Sequence, residues 1–228
     1  MTALKESDAP SIVLIGQFSP TAFQPAWMVS KELLKPAEGE GAKVEIVSQQ
    51  ITDFTLPWLH VQVTGDRCVL RALDSSSDNH LLDLAIGVCA SIVSGPIKMM
   101  GLNREMRYRL DSVAGWHALG DRLAPKGPWG DTGLVGWPAL GRSQPGLRTL
   151  VMEGRREDSK CRFLRVTVGV PEAGPERQFI ISSNEHYDAE FDGLTRLESE
   201  KLDLASVLSE SWLASQTFAK SLAERLLV

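Results

Sequence analysis

The stretch Asn79-His80-Leu81-Leu82-Asp83-Leu84-Ala85-Ile86-Gly87-Val88-Cys89-Ala90-Ser91-Ile92-Val93-Ser94 decides how the rest of the chain is read. Leu81, Leu82, Leu84, Ala85, Ile86, Val88, Cys89, Ile92 and Val93 leave only a narrow small or polar stripe at Asp83, Gly87 and Ser91. A helix that is apolar around most of its circumference belongs inside a protein. Asp74 to Asp78 offer side-chain oxygens to its first free amides, and Gly95-Pro96 ends it. The reading is a helix over 79–94, enclosed on nearly all sides, at the centre of the core.

Such a helix needs a sheet to cover it, and strand patterns flank it. Val61-Gln62-Val63-Thr64 and Arg67 to Leu73 surround Gly65-Asp66, a two-residue loop that closes a tight hairpin. Upstream, Val44 to Val47 alternates, and Ser11 to Phe18 carries Ile12-Val13-Leu14-Ile15, too continuously apolar for an exposed edge. A short helix from Pro25 to Leu34 lies between them. Downstream, Met106, Tyr108 and Leu110 alternate with Arg107 and Arg109, and further strands are expected at Arg148 to Arg155, Arg162 to Val170 and Gln178 to Tyr187. Thr195-Arg196-Leu197-Glu198 has capping-box spacing, and Leu204, Val207, Leu208, Trp212, Phe218, Leu222 and Leu226 mark one stripe of a long C-terminal helix. No repeat is evident in the sequence.

The expected fold is α+β, a mainly antiparallel sheet of about seven to eight strands with a buried central helix and a long C-terminal helix packed on it. The 228 residues read as a single domain, 1–228. Its first lobe covers about 11–110, a central Gly/Pro/Trp loop region 111–146, and a second lobe 147–228.

Hydrophobic residues at 43% and charged residues at 23% exclude disorder, collagen-like repeats and coiled coil. A net charge of −5 disfavours whole-surface affinity for nucleic acid or anionic membrane. The charge is uneven: Lys98 to Arg177 holds 14 Lys/Arg against 9 Asp/Glu, and the remainder 10 against 20. The middle of the chain therefore has the composition of a basic face. Cys68, Cys89 and Cys161 are widely spaced in or beside apolar runs, which fits reduced thiols and a cytoplasmic location. No apolar run reaches membrane-spanning length.

The four histidines, His60, His80, His117 and His186, lack the close His/Cys spacings of a metal site, so no metal and no cofactor is expected. Phosphate-cradle and nucleophile-elbow motifs are missing. The best acid/base candidate is His117 with Asp121, which share a face at i,i+4 on a short helical turn, joined by His186 at a strand end; the plain alternative is a solvated turn. Asn184 and Asp188 suit either a ligand-facing strand end or a structural cap. Trp129 and Trp137, in the central loop, are candidate anchors for a partner, with core packing as the plain alternative for each. Arg104, Arg107, Arg109, Arg155, Arg162 and Arg165 form a stripe across the sheet if the strands align, suited to phosphate or carboxylate groups or simply solvated.

Phe23-Gln24-Pro25-Ala26-Trp27, Pro96-Ile97 with Gly101-Leu102-Asn103-Arg104, and Asn184-Glu185-His186-Tyr187 resemble segments of a family of bacterial proteins of similar length with no assigned activity. The resemblance covers most of the chain. It implies a bacterial cytoplasmic origin and supplies no catalytic residue or cofactor.

The function expected from the sequence is a non-enzymatic interaction protein, homo-oligomeric or docking a protein partner, with no membrane attachment. The alternatives are a hydrolase-like enzyme using His117, Asp121 and His186, and a nucleic-acid binder using the arginine face.

Overall fold

β1 (Ala3–Ile15) leads through a 3-10 turn at Pro20–Ala22 into two short helices, α1 (Pro25–Ser30) and α2 (Pro36–Glu40). The strands β2 (Lys43–Val47), β3 (Ile51–Thr55), β4 (Leu59–Thr64) and β5 (Arg67–Ala72) follow as a meander, and α3 (Asp78–Ser91) carries the chain to β6 (Met99–Leu110). Then come α4 (Val113–Leu123), β7 (Thr149–Gly154), β8 (Phe163–Gly169) and β9 (Gln178–Asp188). A two-residue pair, β10 (Glu190–Phe191) and β11 (Glu200–Lys201), precedes the last helix, α5 (Leu204–Leu227). This computed structural model describes residues 2–92, 97–129, 135, 145–157, 159–171, 177–191 and 200–227.

Nine strands join one antiparallel sheet in the order β2-β3-β4-β5-β1-β6-β9-β8-β7. Each half of the chain runs long strand, helix, meander, helix, and the last strand of each meander pairs with its own long strand. The two long strands pair with each other at the middle, Ile12 opposite Leu102 and Ala9 opposite Glu105. The halves thus repeat in connectivity although the sequence shows no repeat.

Alternation along the strands sends one set of side chains toward the helices. Ile12, Leu14, Phe54, Val61, Leu70, Met100 and Leu102 join Met28 of α1, Leu81, Leu84, Ala85 and Val88 of α3, and Leu204, Leu208 and Trp212 of α5 in one buried cluster. Met106, Tyr108, Val168, Phe179 and Ile181 join Trp116 and Leu119 of α4 and Ala219 and Ala223 of α5 in a second. All of these helices therefore pack on the same face of the sheet.

Between the two clusters lies Arg104, fully buried. Its Nε is 2.6 Å from Asp8 Oδ1 of β1, and its Nη1 is 3.0 Å from Asp78 Oδ2 at the start of α3 and 2.9 Å from Gln216 Oε1 of α5. Four elements are tied at one guanidinium. The polar residues Ser215 and Gln216 on the buried stripe of α5 fall at this point.

The α+β class and the antiparallel sheet match the sequence reading, with more strands than expected. β3 is the added strand. Its Phe54 is buried, Thr52 donates from its buried hydroxyl to the Pro20 carbonyl at 2.7 Å, and Asp53 accepts from Gln62 at 2.8 Å. Polar side chains hide its alternation by bonding within the fold. β1 and β6 also start earlier than the sequence pattern suggests: the polar segment Ala3 to Pro10 pairs with Arg104 to Leu110, and Met99 to Asn103 pairs with Ser11 to Ile15. The helix α3 is covered on its sheet side and along the flank that meets α5, whereas Asn79, His80, Asp83 and Ala90 are exposed. The expected enclosure on nearly all sides is thus narrower. Its stop at Gly95-Pro96 and the capping box at Thr195 to Glu198 lie outside the described residues. The last helix is capped by Asp203, whose Oδ1 accepts from the Ala205 amide at 3.2 Å.

Candidate functional site: the uncovered face of the sheet

The second face of the sheet carries the alternate side chains, and no described helix packs on it. Val13, Ile15, Val69, Phe163 and Ile180 are half-buried there, and none belongs to either core cluster. Around them runs a lattice of paired charges and amides. Glu105 accepts from Arg71 Nη2 at 3.3 Å and from Arg107 Nε at 3.4 Å, Arg165 Nε donates to Glu153 at 2.6 Å, and Arg109 pairs with Glu6. Gln178 donates to the same Glu6 at 2.7 Å. On the other wing His60 and Gln62 hold Asp53 at 2.9 and 2.8 Å. Burial raises the Asp53 carboxyl, but these two hydrogen bonds outweigh it and leave it below the usual carboxylate range.

The middle of the face is marked by Gly101, which sits between Val13 and His186 in register. A Cβ there would come within 3.0 Å of Asn184 Nδ2, so the position is kept small by its neighbours. Asn184 donates to Asn103 Oδ1, and Asn103 donates to the Gly101 carbonyl at 3.2 Å. Beside it, His186 stacks on Phe163 with ring centroids 4.7 Å apart and planes 10° apart. The Arg165 guanidinium lies 5.4 Å from the same phenyl ring. His186 Nε2 also meets Asp188 Oδ1 at 2.7 Å. Gly101 is therefore flanked by hydrogen-bonded amides on one side and an aromatic stack on the other.

Of the candidates from sequence, Arg107, Arg109, Arg165, Asn184 and His186 share this face. Arg104 does not: three residues from Arg107, it has the opposite parity and points at the helices, so the expected stripe loses it. The run Asn184 to Tyr187 is divided in the same way. Glu185 and Tyr187 face the helices, where Arg156 Nη1 meets Glu185 Oε1 at 2.6 Å and the Tyr187 hydroxyl donates to Glu185 Oε2 at 2.8 Å. Burial and the adjacent Glu185 push the Tyr187 hydroxyl upward.

His117 and Asp121 sit on α4, on the helix side, so the structure does not bring them to His186. Asp121 pairs with Lys126 at 3.0 Å. His117 packs edge-on against Trp116, its Nε2 without a hydrogen-bond partner among the described residues, beside a cavity of about 30 Å³. That volume holds a water or two. Trp129 is 62% exposed, and Trp137 lies outside the described residues. Among the described residues no group of three or more His, Cys, Asp or Glu is placed to hold a metal ion, and no helix is long and apolar enough to cross a membrane. Comparison with models of known protein families and with curated proteins returns no match.

Proposed function

We propose that this chain is a non-enzymatic docking protein that binds protein through the uncovered face of its sheet, self-associating through that face. The observation that carries the reading is the uncovered face itself: nine strands with apolar residues at its centre and every described helix behind it. Nine strands at strand spacing span about 40 Å. With strands about 20 Å long, that gives on the order of 800 Å², the area each partner contributes to a standard protein interface.

The charge pattern favours protein over nucleic acid. Arg71, Arg107, Arg109 and Arg165 are each met by a carboxylate of the same face, so few cationic charges remain to displace counterions from phosphates. A face holding both signs in pairs complements a second copy of itself. Trp129 is exposed, as an anchor for a partner would be, and the chain's free thiols support a reducing, cytoplasmic address.

Sedimentation of the purified chain over a range of concentrations tests this. The expected result is a concentration-dependent mass that returns to monomer in Val13→Arg and Phe163→Asp with the melting temperature little changed. A monomer at every concentration refutes self-association. Oligonucleotide binding with a steep salt dependence, lost in Arg107→Ala, refutes the choice of protein.

A further inference from the structure

On the helix side, away from the docking face, a cleft of about 550 Å³ opens between α1, α2, the β3–β4 turn and the start of α3. Its size falls in the range of small-molecule sites. Its apolar wall is the outer edge of the core: Trp58, Val29 and Leu33 are partly buried against the main cluster, to which Leu34 and Leu84 belong. Trp58, at the β3–β4 turn, is fixed by its indole N–H, which donates to Glu38 Oε1 at 3.0 Å. Glu38 is fixed in turn, because Oε2 accepts from the Lys35 amide at 2.9 Å. That amide, with the Trp58 hydrogen bond, holds the Glu38 carboxyl below its usual range against a smaller effect of burial. His80 of α3 stands edge-on to the indole at 5.7 Å.

The floor is shaped by close approach. A Cβ at Gly87 of α3 would lie 2.3 Å from Leu33 Cδ2, so glycine lets that helix press against Leu33, which lines the cleft. At the rim Glu32 holds φ 58°, a left-handed conformation that side chains other than glycine adopt rarely. It sets the tight end of α1, where Leu33 N donates to the Met28 carbonyl at 2.9 Å. The charged lining is Glu32, Glu38 and Asp83 against Lys35. Carboxylates outnumber ammonium groups around an aromatic wall and an apolar floor, the combination that attracts a cation with a hydrocarbon body.

We propose that this cleft binds a small organic cation, an alkylammonium or guanidinium group on a short apolar chain. The charged end sits among Glu38, Asp83 and the Trp58 ring, and the chain lies on Leu33. The site is independent of the docking face and stands or falls without it.

Calorimetric titration of the full chain with pentylammonium, against pentanol and valerate as neutral and anionic analogues, reads the inference. Pentylammonium is expected to bind saturably and the two analogues not at all. Asp83→Asn, at an exposed position, should weaken binding about fivefold, Trp58→Phe by a similar factor, and Glu38→Gln with Asp83→Asn should abolish it. If the double variant loses its fold, Asp83→Lys, expected to abolish binding alone, replaces it. Three results overturn the inference: equal binding of pentanol, unchanged affinity in the Asp83 variants, or no heat of binding at tens of millimolar pentylammonium.

Discussion

Replacing Arg104 with leucine removes the guanidinium that joins β1, β6, α3 and α5. The wild-type side chain is fully buried, and its partners Asp8 and Asp78 have side chains only 6% and 19% exposed. Breaking one partner out of a buried ion pair typically costs about 3–5 kcal/mol, because the remaining charge is left desolvated. Here Asp8 keeps Lys5 at 2.8 Å and Asp78 keeps Lys220 at 3.3 Å, which places the expected loss near the lower end, about 3 kcal/mol. For a chain of this length that is roughly a 6–12 °C fall in Tm. Urea denaturation measures it directly, and Arg104→Leu combined with Asp8→Ala should recover part of the loss through a coupling of about 1–3 kcal/mol. The acid limb gives an independent reading. Burial raises the Asp8 carboxyl, yet hydrogen bonds from Arg104 and Lys5 hold it below its ordinary value in the folded chain. The stability it contributes is complete above the unfolded carboxylate pKa and is lost as pH falls through the folded value. Arg104→Leu should therefore flatten the loss of stability on acidification. A cost under about 1 kcal/mol with an unchanged acid limb refutes the reasoning, since it means these charges are hydrated.

Asp203→Ala removes the acceptor for the Ala205 amide and for the Ser206 hydroxyl at 2.7 Å, and should cost about 1 kcal/mol in chemical denaturation. Cys68 and Cys161 are fully buried, and burial with the nearby Asp203 pushes the Cys89 thiol up to about 11. Below that value its thiolate is scarce, so a disulfide reagent at pH 8 should react slowly with the native chain and promptly with three thiols after denaturation. Trp212→Ala opens the buried stripe of α5 and should cost about 3–5 kcal/mol, read as a fall in the urea midpoint.

Much of the architecture was legible because the core is patterned. The Gly65-Asp66 hairpin, the apolar stripe of α3 and the stripe from Leu204 to Trp212 all follow from side-chain periodicity. What escaped was polar. Ile51 to Thr55 is a strand whose Thr52 and Asp53 find partners from a distant carbonyl and a neighbouring strand, contacts that no local pattern announces. Arg104 shares its residue type with the surface arginines, but its spacing from Arg107 assigns it to the other side of the sheet. The same period-two argument separates Glu185 and Tyr187 from Asn184 and His186. The cleft at Trp58 was illegible because Glu38, Trp58 and His80 come from three elements whose meeting depends on Gly87 and on the bend at Glu32.

Side-chain footprinting with hydroxyl radicals, on the dilute chain and again at high concentration, tests the docking face most directly. The account predicts that Met99 and Phe163 are oxidised readily in the dilute monomer and protected as the chain associates, while the core residues Met100 and Met106 stay protected throughout. Protection of Phe163 in the dilute monomer, or its full oxidation in an associated sample, contradicts it.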